Sequence, residues 1–210
     1  MIQINRRLDA LNTIIPFYSS GSISLGDLYV LLRYCDEKDI VVELGTNTGS
    51  TARLLSMRCN KVYTVDVFEK TDLIKDEMHR NLYTRIRRDL PVTYESACLQ
   101  LSDCKNVQVM QCMTTEAAKI FDDGDIDTLF IDADHSYEGV KADYEAFFQK
   151  VKIGGVFLFH DTISNLHDGS VQFKKEVLDN DKRLVALPVS SEFEGILLFT
   201  SISAYERKEQ

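Results

Sequence analysis

Hydrophobic residues along the chain follow two alternating patterns, which predict two kinds of secondary structure. Short β-branched or continuous apolar runs are typical of buried parallel strands, whereas apolar residues three or four positions apart are typical of amphipathic helices. The predicted strands are residues 40–43, 61–67, 106–112, 126–131, 152–162, 183–190 and 195–201, and the predicted helices between them are residues 49–58, 71–89, 92–104, 116–121, 136–148 and 168–179. This alternation predicts an α/β fold with a mainly parallel sheet, and the last two strands, joined by a short loop, predict an antiparallel pair. Residues 204–210 are predicted to be a polar tail.

The 210 residues suit a single domain, because no repeat, low-complexity tract or interdomain linker divides them. Residues 1–39 are predicted to form a helical cover in which Pro16 interrupts a first helix and Ser24 caps a second. Residues 68–105 are more than one connection between strands needs. The second of their two helices is interpreted as the crossover, and residues 68–91, with the helix at 71–89, as an insertion. The apolar side of that helix would pack in the core, and a lid or a dimer contact are the alternatives.

Composition and charge exclude several classes of protein. The chain is 44% hydrophobic and has a formal net charge of −9, with 33 acidic residues against 24 Lys and Arg, which argues against a nucleic-acid groove. The basic residues Lys75, Arg80 and 85–88 are either a solvated helix face or an anion-binding surface. No apolar run reaches the roughly 18 residues of a membrane span, and no signal peptide is visible. The five cysteines form no C-x-x-C pair, so we expect reduced thiols in a cytoplasmic protein, neither nucleophile nor zinc ligands.

A glycine-containing turn follows the first strand. The sequence IVVELGTNTGS runs from the strand through Gly45 and Gly49 into a helix that begins near Ser50. Such a strand–turn–helix unit presents helix N-terminal N–H groups to a ligand. Asp66 ends the second strand, where a carboxylate can accept hydrogen bonds from both hydroxyls of a ribose. The sequence therefore predicts a site for an adenosine-containing cofactor.

Acidic residues and histidines end the fourth and fifth strands. The fourth strand runs into the sequence DADH, at 132–135, and the fifth into HDT, at 160–162. Ligands bind at the carboxyl ends of strands in open α/β sheets, so we expect these side chains at the site. Carboxylates of Asp132 and Asp161 would suit Mg²⁺ or another divalent cation, and a metal-free site is the open alternative. His160 is interpreted as a core histidine, and His79 and His167 are given no role.

Two motifs resemble those of class I S-adenosylmethionine-dependent methyltransferases. E-x-G-x-x-x-G after the first strand resembles motif I, and D-x-D-H-S-Y-E-G-V-K resembles the small O-methyltransferases of macrolide sugars and other glycans (methyltransferase family 24). The resemblance implies a Rossmann-like sheet of seven strands, with an antiparallel C-terminal strand inserted beside the fifth and helices on both faces. It also implies S-adenosylmethionine as cofactor, with contacts from Glu43, Gly45, Thr46, Asn47, Gly49, Ser50, Asp66, Val67, Cys112, Met113, Thr114, Asp132 and Asp134. Metal-dependent relatives carry Asp-Asn where this chain has Asp161-Thr162, so Thr162 departs from their ligand set.

The resemblance implies methyl transfer, and the residues at the strand ends are suited to it. The sulfonium already activates the methyl group, so the protein chiefly aligns the acceptor and excludes water. A hydroxyl acceptor must also lose its proton, to a base or with the help of a metal. We expect His135 to be the general base and Asp132 to act with it, while Asp132 and Asp161 bind a divalent cation or orient the acceptor.

Several functions stay open at this stage. The expected acceptor is a hydroxyl of a sugar or small secondary metabolite, and methylation of nitrogen or carbon is an alternative. A non-catalytic cofactor-binding protein would have the same fold, whereas an NAD-dependent oxidoreductase would need the G-x-G-x-x-G that this chain lacks. Neither nucleic acid nor a membrane is an expected partner. Related enzymes often associate, so a homo-oligomer is among the alternatives.

Overall fold

A seven-stranded sheet forms the centre of the molecule. The computed structural model describes residues 23–75, 77–89, 91–163, 168–189, 191–193 and 196–209. The strand order is β3-β2-β1-β4-β5-β9-β6; β1 to β5 are parallel, and β9 is antiparallel to both β5 and β6. The strands are β1 (Ile40–Leu44), β2 (Lys61–Asp66), β3 (Val107–Gln111), β4 (Ile126–Ile131), β5 (Val151–Phe159), β6 (Leu184–Leu187), β7 (Ser191–Phe193), β8 (Ile196–Leu198) and β9 (Ser203–Arg207). The predicted fold class is confirmed.

Helices pack on both faces of the sheet. They are α1 (Leu25–Tyr34), α2 (Ser50–Ser56), α3 (Glu77–Asp89), α4 (Tyr94–Gln100), α5 (Thr114–Ala117), α6 (Tyr137–Phe147) and α7 (Asp168–Glu176), with single 3₁₀ turns at Thr71–Leu73, Ala118–Ile120 and Leu178–Asn180. Alternate residues of the central strands enter separate apolar cores: Phe157 and Phe159 of β5 pack with α6 and α7, while Leu158 packs with α1 and α2. Burial on both faces explains the continuous apolar runs in the sequence. No helix in the described ranges is long and apolar enough to cross a membrane.

The predicted cap at Ser24 is confirmed, and of the two predicted starts of the later helix, His135 or Ser136, the structure has Ser136 as the cap. The Ser24 hydroxyl accepts a hydrogen bond from the Asp27 N–H, and the Ser24 N–H donates to the Asp27 carboxylate, which forms a capping box at α1. The Ser136 hydroxyl accepts from the Gly139 N–H at the start of α6. The first predicted helix of the N-terminal cover lies outside the described residues.

The inserted segment differs from the prediction of one helix over residues 71–89. A 3₁₀ turn ends at Leu73, Ile74 is extended, and α3 is described from Glu77. The next helix, predicted over 92–104, is the shorter α4, which Thr93 caps. The apolar side chains Met78 and Leu82 of α3 are 71% and 45% exposed, so the expectation that they pack in the core was wrong.

The C-terminal strand pairing was predicted wrongly in its details. Strand β6 pairs with β9, whose residues were predicted to be a polar tail, while β7 and β8 form a separate two-stranded ribbon. Ser203 and Ala204 have small buried side chains next to β5, and the Tyr205 ring packs against Phe159 at a centroid distance of 6.1 Å. The charged side chains of Glu206 and Arg207, at the end of β9, gave this segment its polar character.

The fifth strand also begins and ends earlier than predicted. Gly154 lies within β5, at a φ of +81°, where the register with β4 shifts. A glycine within a strand often marks such an irregularity. Because β5 ends at Phe159, residues 160–162 form the turn that follows the strand, at the carboxyl edge of the sheet.

Candidate active site

The glycine loop after β1 lies directly against the end of β4. Gly45 has a φ of +100°, its N–H donates to the Val65 carbonyl at 2.8 Å, and a Cβ on this residue would lie 2.1 Å from the Asp132 carbonyl oxygen. Gly49 (φ +85°) precedes α2, and a Cβ there would lie 2.9 Å from Leu101. Only glycine permits this backbone and these approaches. The loop therefore connects the predicted cofactor site to Asp132.

Buried polar side chains support the glycine loop from below. Thr64 Oγ1 lies 2.5 Å from Glu43 Oε2 and 2.7 Å from Thr46 Oγ1, and all three residues are buried. Burial raises the pKa of Glu43 to about 8, although the hydrogen bond from Thr64 lowers it. The nearby carboxylates of Asp132 and Asp66 raise the pKa by smaller amounts. Glu43 is thus neutral at pH 7 and holds the loop, and its predicted contact with a cofactor stays a prediction.

Asp66 lies at the end of β2, next to the glycine loop, as predicted. Its Oδ1 accepts from the Phe68 N–H at 2.8 Å and its Oδ2 from the Asn47 N–H at 3.0 Å. Arg87 of α3 donates from Nη2 to both oxygens, at 3.0 and 2.9 Å. Asp66, the residue predicted to bind ribose, is therefore held by the loop and also paired with Arg87, a contact that the sequence did not predict.

The segment after β3 opens α5. Thr114 is the first helical residue and Met113 is the N-cap. The Thr114 hydroxyl donates to the buried carboxylate of Asp143 on α6. Burial raises the pKa of Asp143 to about 7, against that hydrogen bond. Contacts of Cys112, Met113 and Thr114 with adenine stay a prediction.

The second acid of the D-x-D-H-S-Y-E-G sequence, Asp134, has a structural role at the start of α6. Asp134 Oδ1 accepts from the Ser136 N–H at 2.9 Å, and its side chain covers the first turn of α6. A Cβ on Gly139 would lie 2.4 Å from Asp134 Cγ, so glycine is needed to let the carboxylate fold over the helix. Asp134 therefore orients the segment that carries His135.

His160 lies among three carboxylates. It was predicted to be a core histidine, but it is also part of the site. Its Nδ1 is 3.0 Å from Asp132 Oδ1 and 3.3 Å from Asp161 Oδ2, and its Nε2 is 3.4 Å from Asp27 Oδ2 and 3.1 Å from Ser201 Oγ. Burial disfavours the imidazolium, but the carboxylates of Asp132, Asp161 and Asp27 outweigh it and raise the pKa of His160 to about 12. The bonds to Asp27 and Ser201 fit the predicted core histidine, yet the ring also belongs to the site.

His135 lies on the solvent side of the same carboxylates. Its Nε2 is 3.9 Å from Asp132 Oδ1 and its Nδ1 is 3.8 Å from Asp161 Oδ2. Asp161 has a φ of +54°, a left-handed backbone that is uncommon outside glycine and often occurs at functional sites. The structure thus brings together three of the predicted residues, Asp132, His135 and Asp161.

These three residues form a donor set that fits a metal ion. Asp132, His135 and Asp161 each offer one ligand atom, all within 4.8 Å of one another. The Thr162 hydroxyl points elsewhere, within hydrogen-bonding distance of the Ser201 carbonyl (3.1 Å) and of Ser203 Oγ (2.7 Å). If an ion binds here, His135 would supply the third donor in place of the asparagine of the metal-dependent relatives.

The buried Nδ1 of His160 also faces this set. No acceptor among the described residues lies in line with its N–H, although Asp132 is near. A neutral His160 could present this nitrogen to a cation, with the Asp27 carboxylate behind Nε2, an arrangement common around metal-binding histidines. The residues at the site therefore suit either a divalent cation or a protonated His160.

A sheet of this strand order, with a glycine loop after β1 and an acid at the end of β2, defines the class I S-adenosylmethionine-dependent methyltransferases. The family described as "Methyltransferase domain" (methyltransferase family 24) matches residues 42–162, which is more than half of the chain. The protein belongs to this family and is an S-adenosylmethionine-dependent methyltransferase. No functionally curated protein matches its sequence.

Solved structures with the same fold include several methyltransferases. The O-methyltransferase TomG of Streptomyces achromogenes, involved in tomaymycin synthesis and solved with S-adenosylmethionine, has a TM-score of 0.57 and 12% identity, over 98% of this chain and 89% of its own. An O-methyltransferase of Thermotoga maritima has a TM-score of 0.55 and 12% identity, over 96% of this chain and 72% of its own. A putative rRNA methylase of Clostridium thermocellum has a TM-score of 0.56 and 14% identity, over 90% of this chain and 100% of its own. At these identities the likeness shows the fold alone.

Proposed function

We propose that this protein transfers the methyl group of S-adenosylmethionine to a hydroxyl of a sugar or small metabolite. The observation that carries the proposal is the cluster of Asp132, His135 and Asp161 at the carboxyl edge of β4 and β5. Because Gly45 contacts the Asp132 backbone, this cluster adjoins the loop expected to hold the cofactor. A base beside the methyl donor is what a hydroxyl acceptor requires.

His135 is proposed as the general base. Its ring is partly exposed, so an acceptor can reach it, and both ring nitrogens face carboxylates at 3.8 and 3.9 Å. These carboxylates stabilise the imidazolium that forms when the acceptor proton is taken. Asp134, folded over the start of α6, fixes the backbone that carries the ring.

As the alternative to a base, we propose that Asp132, His135 and Asp161 hold a divalent cation, with His160 behind them. His135 would then be a ligand, and the ion instead of the imidazole would promote loss of the acceptor proton. Such an ion would lower the pKa of an acceptor hydroxyl. The mixture of carboxylates and imidazole nitrogen suits Mn²⁺ and similar transition metals better than it suits Mg²⁺, which prefers sites made of oxygen ligands alone. His160 would have to release its Nδ1 proton to become a further ligand, so metal binding and protonation of His160 compete.

The acceptor class is supported by charge and by resemblance. The net charge of −9 makes a polyanionic acceptor unfavourable, although rRNA methylases share the fold. The sequence D-x-D-H-S-Y-E-G-V-K resembles the glycan O-methyltransferases, and TomG and the Thermotoga maritima protein are O-methyltransferases of the same fold. Sugars and small hydroxylated metabolites are therefore the first acceptors to screen, with RNA as the counter-screen.

The test is an acceptor screen that measures S-adenosylhomocysteine production. For an acceptor that turns over, His135→Ala should lower kcat by about 100-fold or more, the usual contribution of a general base. Its affinity for S-adenosylhomocysteine should stay within about threefold. Glu138→Gln, an exposed position on the same helix, is the control and should retain full activity.

Other outcomes would reject parts of the proposal. Full activity of His135→Ala would remove His135 as the base. Activity that survives exhaustive chelation, and does not rise when Mn²⁺ or Mg²⁺ is added back, would remove the metal. Methylation of RNA alone would replace the acceptor class. Cofactor binding without turnover on any hydroxylated acceptor would favour the non-catalytic alternative.

A further inference from the structure

Helix α3 lies across the site and contacts it through one face. His79, Tyr83 and Arg87 are four residues apart, so their side chains lie on the same side of the helix. The Tyr83 hydroxyl donates to the Ala133 carbonyl at 2.6 Å, His79 Nδ1 lies 3.7 Å from Asp134 Oδ2, and Arg87 binds the Asp66 carboxylate. The helix therefore bridges the carboxyl ends of β4 and β2, between which the glycine loop lies.

The contact at Asp66 uses the whole hydrogen-bonding capacity of its carboxylate. A carboxylate has about four acceptor positions, and Asp66 accepts from the N–H groups of Asn47 and Phe68 and twice from Arg87 Nη2. The Asp66 and Arg87 side chains are only 8% and 11% exposed. Ribose hydroxyls cannot bind Asp66 in this arrangement unless the guanidinium leaves.

The outer side of α3 shows that the helix is weakly anchored elsewhere. Met78 and Leu82 are largely exposed, so these apolar side chains add little burial to hold it. Arg87 is itself imperfectly satisfied, because its buried Nε has no acceptor among the described residues. The contacts that hold the helix are thus mainly polar, and they include those of Thr84 with Thr71 and of Arg80 with the Ile74 carbonyl. A ligand that supplies equivalent contacts at Asp66 can displace Arg87.

We propose that α3 is a lid closed by Arg87 on Asp66, which S-adenosylmethionine opens by replacing the guanidinium with its ribose hydroxyls. The proposal rests on the ribose-binding role of Asp66 in the proposed function. The closed form competes with the cofactor, so the apparent dissociation constant is the intrinsic one divided by the fraction of open molecules. Weakening the Arg87–Asp66 pair should therefore tighten cofactor binding.

The first experiment titrates the 210-residue protein with S-adenosylhomocysteine by calorimetry. Arg87→Gln should bind roughly tenfold more tightly than the unmodified protein, equivalent to about 1.4 kcal/mol. Arg88→Gln removes the same charge from the adjacent position, which is 72% exposed and pairs with Asp89, and should bind within about twofold of the unmodified protein. Equal or weaker binding by Arg87→Gln would overturn the lid.

A second measurement follows the helix itself. The chain contains no tryptophan, so Leu82→Trp places a single fluorophore on the outer side of α3. Its emission should change when S-adenosylhomocysteine binds, and the observed rate should level off at high ligand concentration because opening becomes limiting. Adding Arg87→Gln should remove the levelling. Unchanged emission at saturating ligand would overturn the proposal even where Arg87→Gln is unstable.

Asp66→Asn separates the lid from its premise. Weaker binding by Asp66→Asn, combined with no gain from Arg87→Gln, would reject the lid and keep the cofactor site. Because Asp66→Asn also breaks the pair with Arg87, the ribose contact is measured in the Arg87→Gln background. Binding by the double variant that equals Arg87→Gln alone would reject the ribose contact and the lid together, while leaving S-adenosylhomocysteine as the ligand.

Discussion

Replacing Gly45 by alanine should damage both the fold and the cofactor site, because two backbones meet at this residue. The added Cβ would lie 2.1 Å from the Asp132 carbonyl oxygen, 2.7 Å from its carbon and 3.1 Å from Ala133 Cα. None of these atoms can rotate away, so the ends of β1 and β4 must separate by roughly 1 Å to reach ordinary contact. The residue would also have to keep a φ of +100°.

The expected cost follows from these two terms. Positive φ in a residue with a Cβ costs about 1–2 kcal/mol, and overpacking at a tight contact typically costs about 1–3 kcal/mol more. We expect Gly45→Ala to lower the free energy of unfolding by roughly 2–5 kcal/mol in urea titrations. Its binding of S-adenosylhomocysteine should weaken at least about tenfold, since the loop and Asp132 move apart.

Gly124→Ala is the matched control for Gly45→Ala. Gly124 also has a positive φ, +80°, but a Cβ there would have no neighbour within 4 Å. It should therefore cost only the backbone term, about 1–2 kcal/mol, and leave cofactor affinity unchanged. Equal destabilisation by the two substitutions, or unaltered binding by Gly45→Ala, would refute the argument that the loop contact builds the site.

Three further predictions test other parts of the structure. Glu43 has a pKa of about 8 in the folded protein and 4.5 as the reference value, so the folded state binds the extra proton and stability falls as pH rises between these values. Glu43→Gln should remove this fall, so that in urea titrations its free energy of unfolding gains roughly 2–3 kcal/mol relative to the unmodified protein between pH 6 and 8. Stabilities of the two proteins that change in parallel with pH would contradict a buried, neutral Glu43. Ser24→Ala should lower the unfolding free energy by about 1 kcal/mol, because the cap of α1 is lost, and an unchanged midpoint would count against that cap. Removing residues 203–210 takes β9 from between β5 and β6, so circular dichroism should show no cooperative unfolding transition; a native-like transition would contradict the strand order.

Local sequence patterns were sufficient for the framework of this protein. The central strands β1, β2 and β4 are buried on both faces, so their apolar runs were visible without knowledge of their partners. The caps at Ser24 and Ser136 act within three residues, which makes them readable from the sequence. Asp132, His135 and Asp161 could be grouped in advance, because the carboxyl ends of adjacent parallel strands meet at one edge.

Contacts between distant segments could not be predicted in this way. Strand β9 has small and charged residues that resemble a tail, and only its place between β5 and β6 makes it a strand. Its identity depends on pairing partners, and strand propensity itself varies with such context. The same holds for Met78 and Leu82, whose helical spacing predicted burial, although α3 meets the rest of the protein through its polar face.

The amino-acid sequence by itself determined the class of enzyme, the succession of strands and helices along the chain and the position of the candidate base. The tertiary structure alone decided that His160 lies between Asp27 of α1 and the carboxylates of Asp132 and Asp161, and that Arg87 pairs with Asp66. The physical reason is the range of the interactions involved. Periodicity, caps and glycine turns act over a few residues, whereas the ion pairs at the site join side chains from separate elements and exist only once those elements have packed.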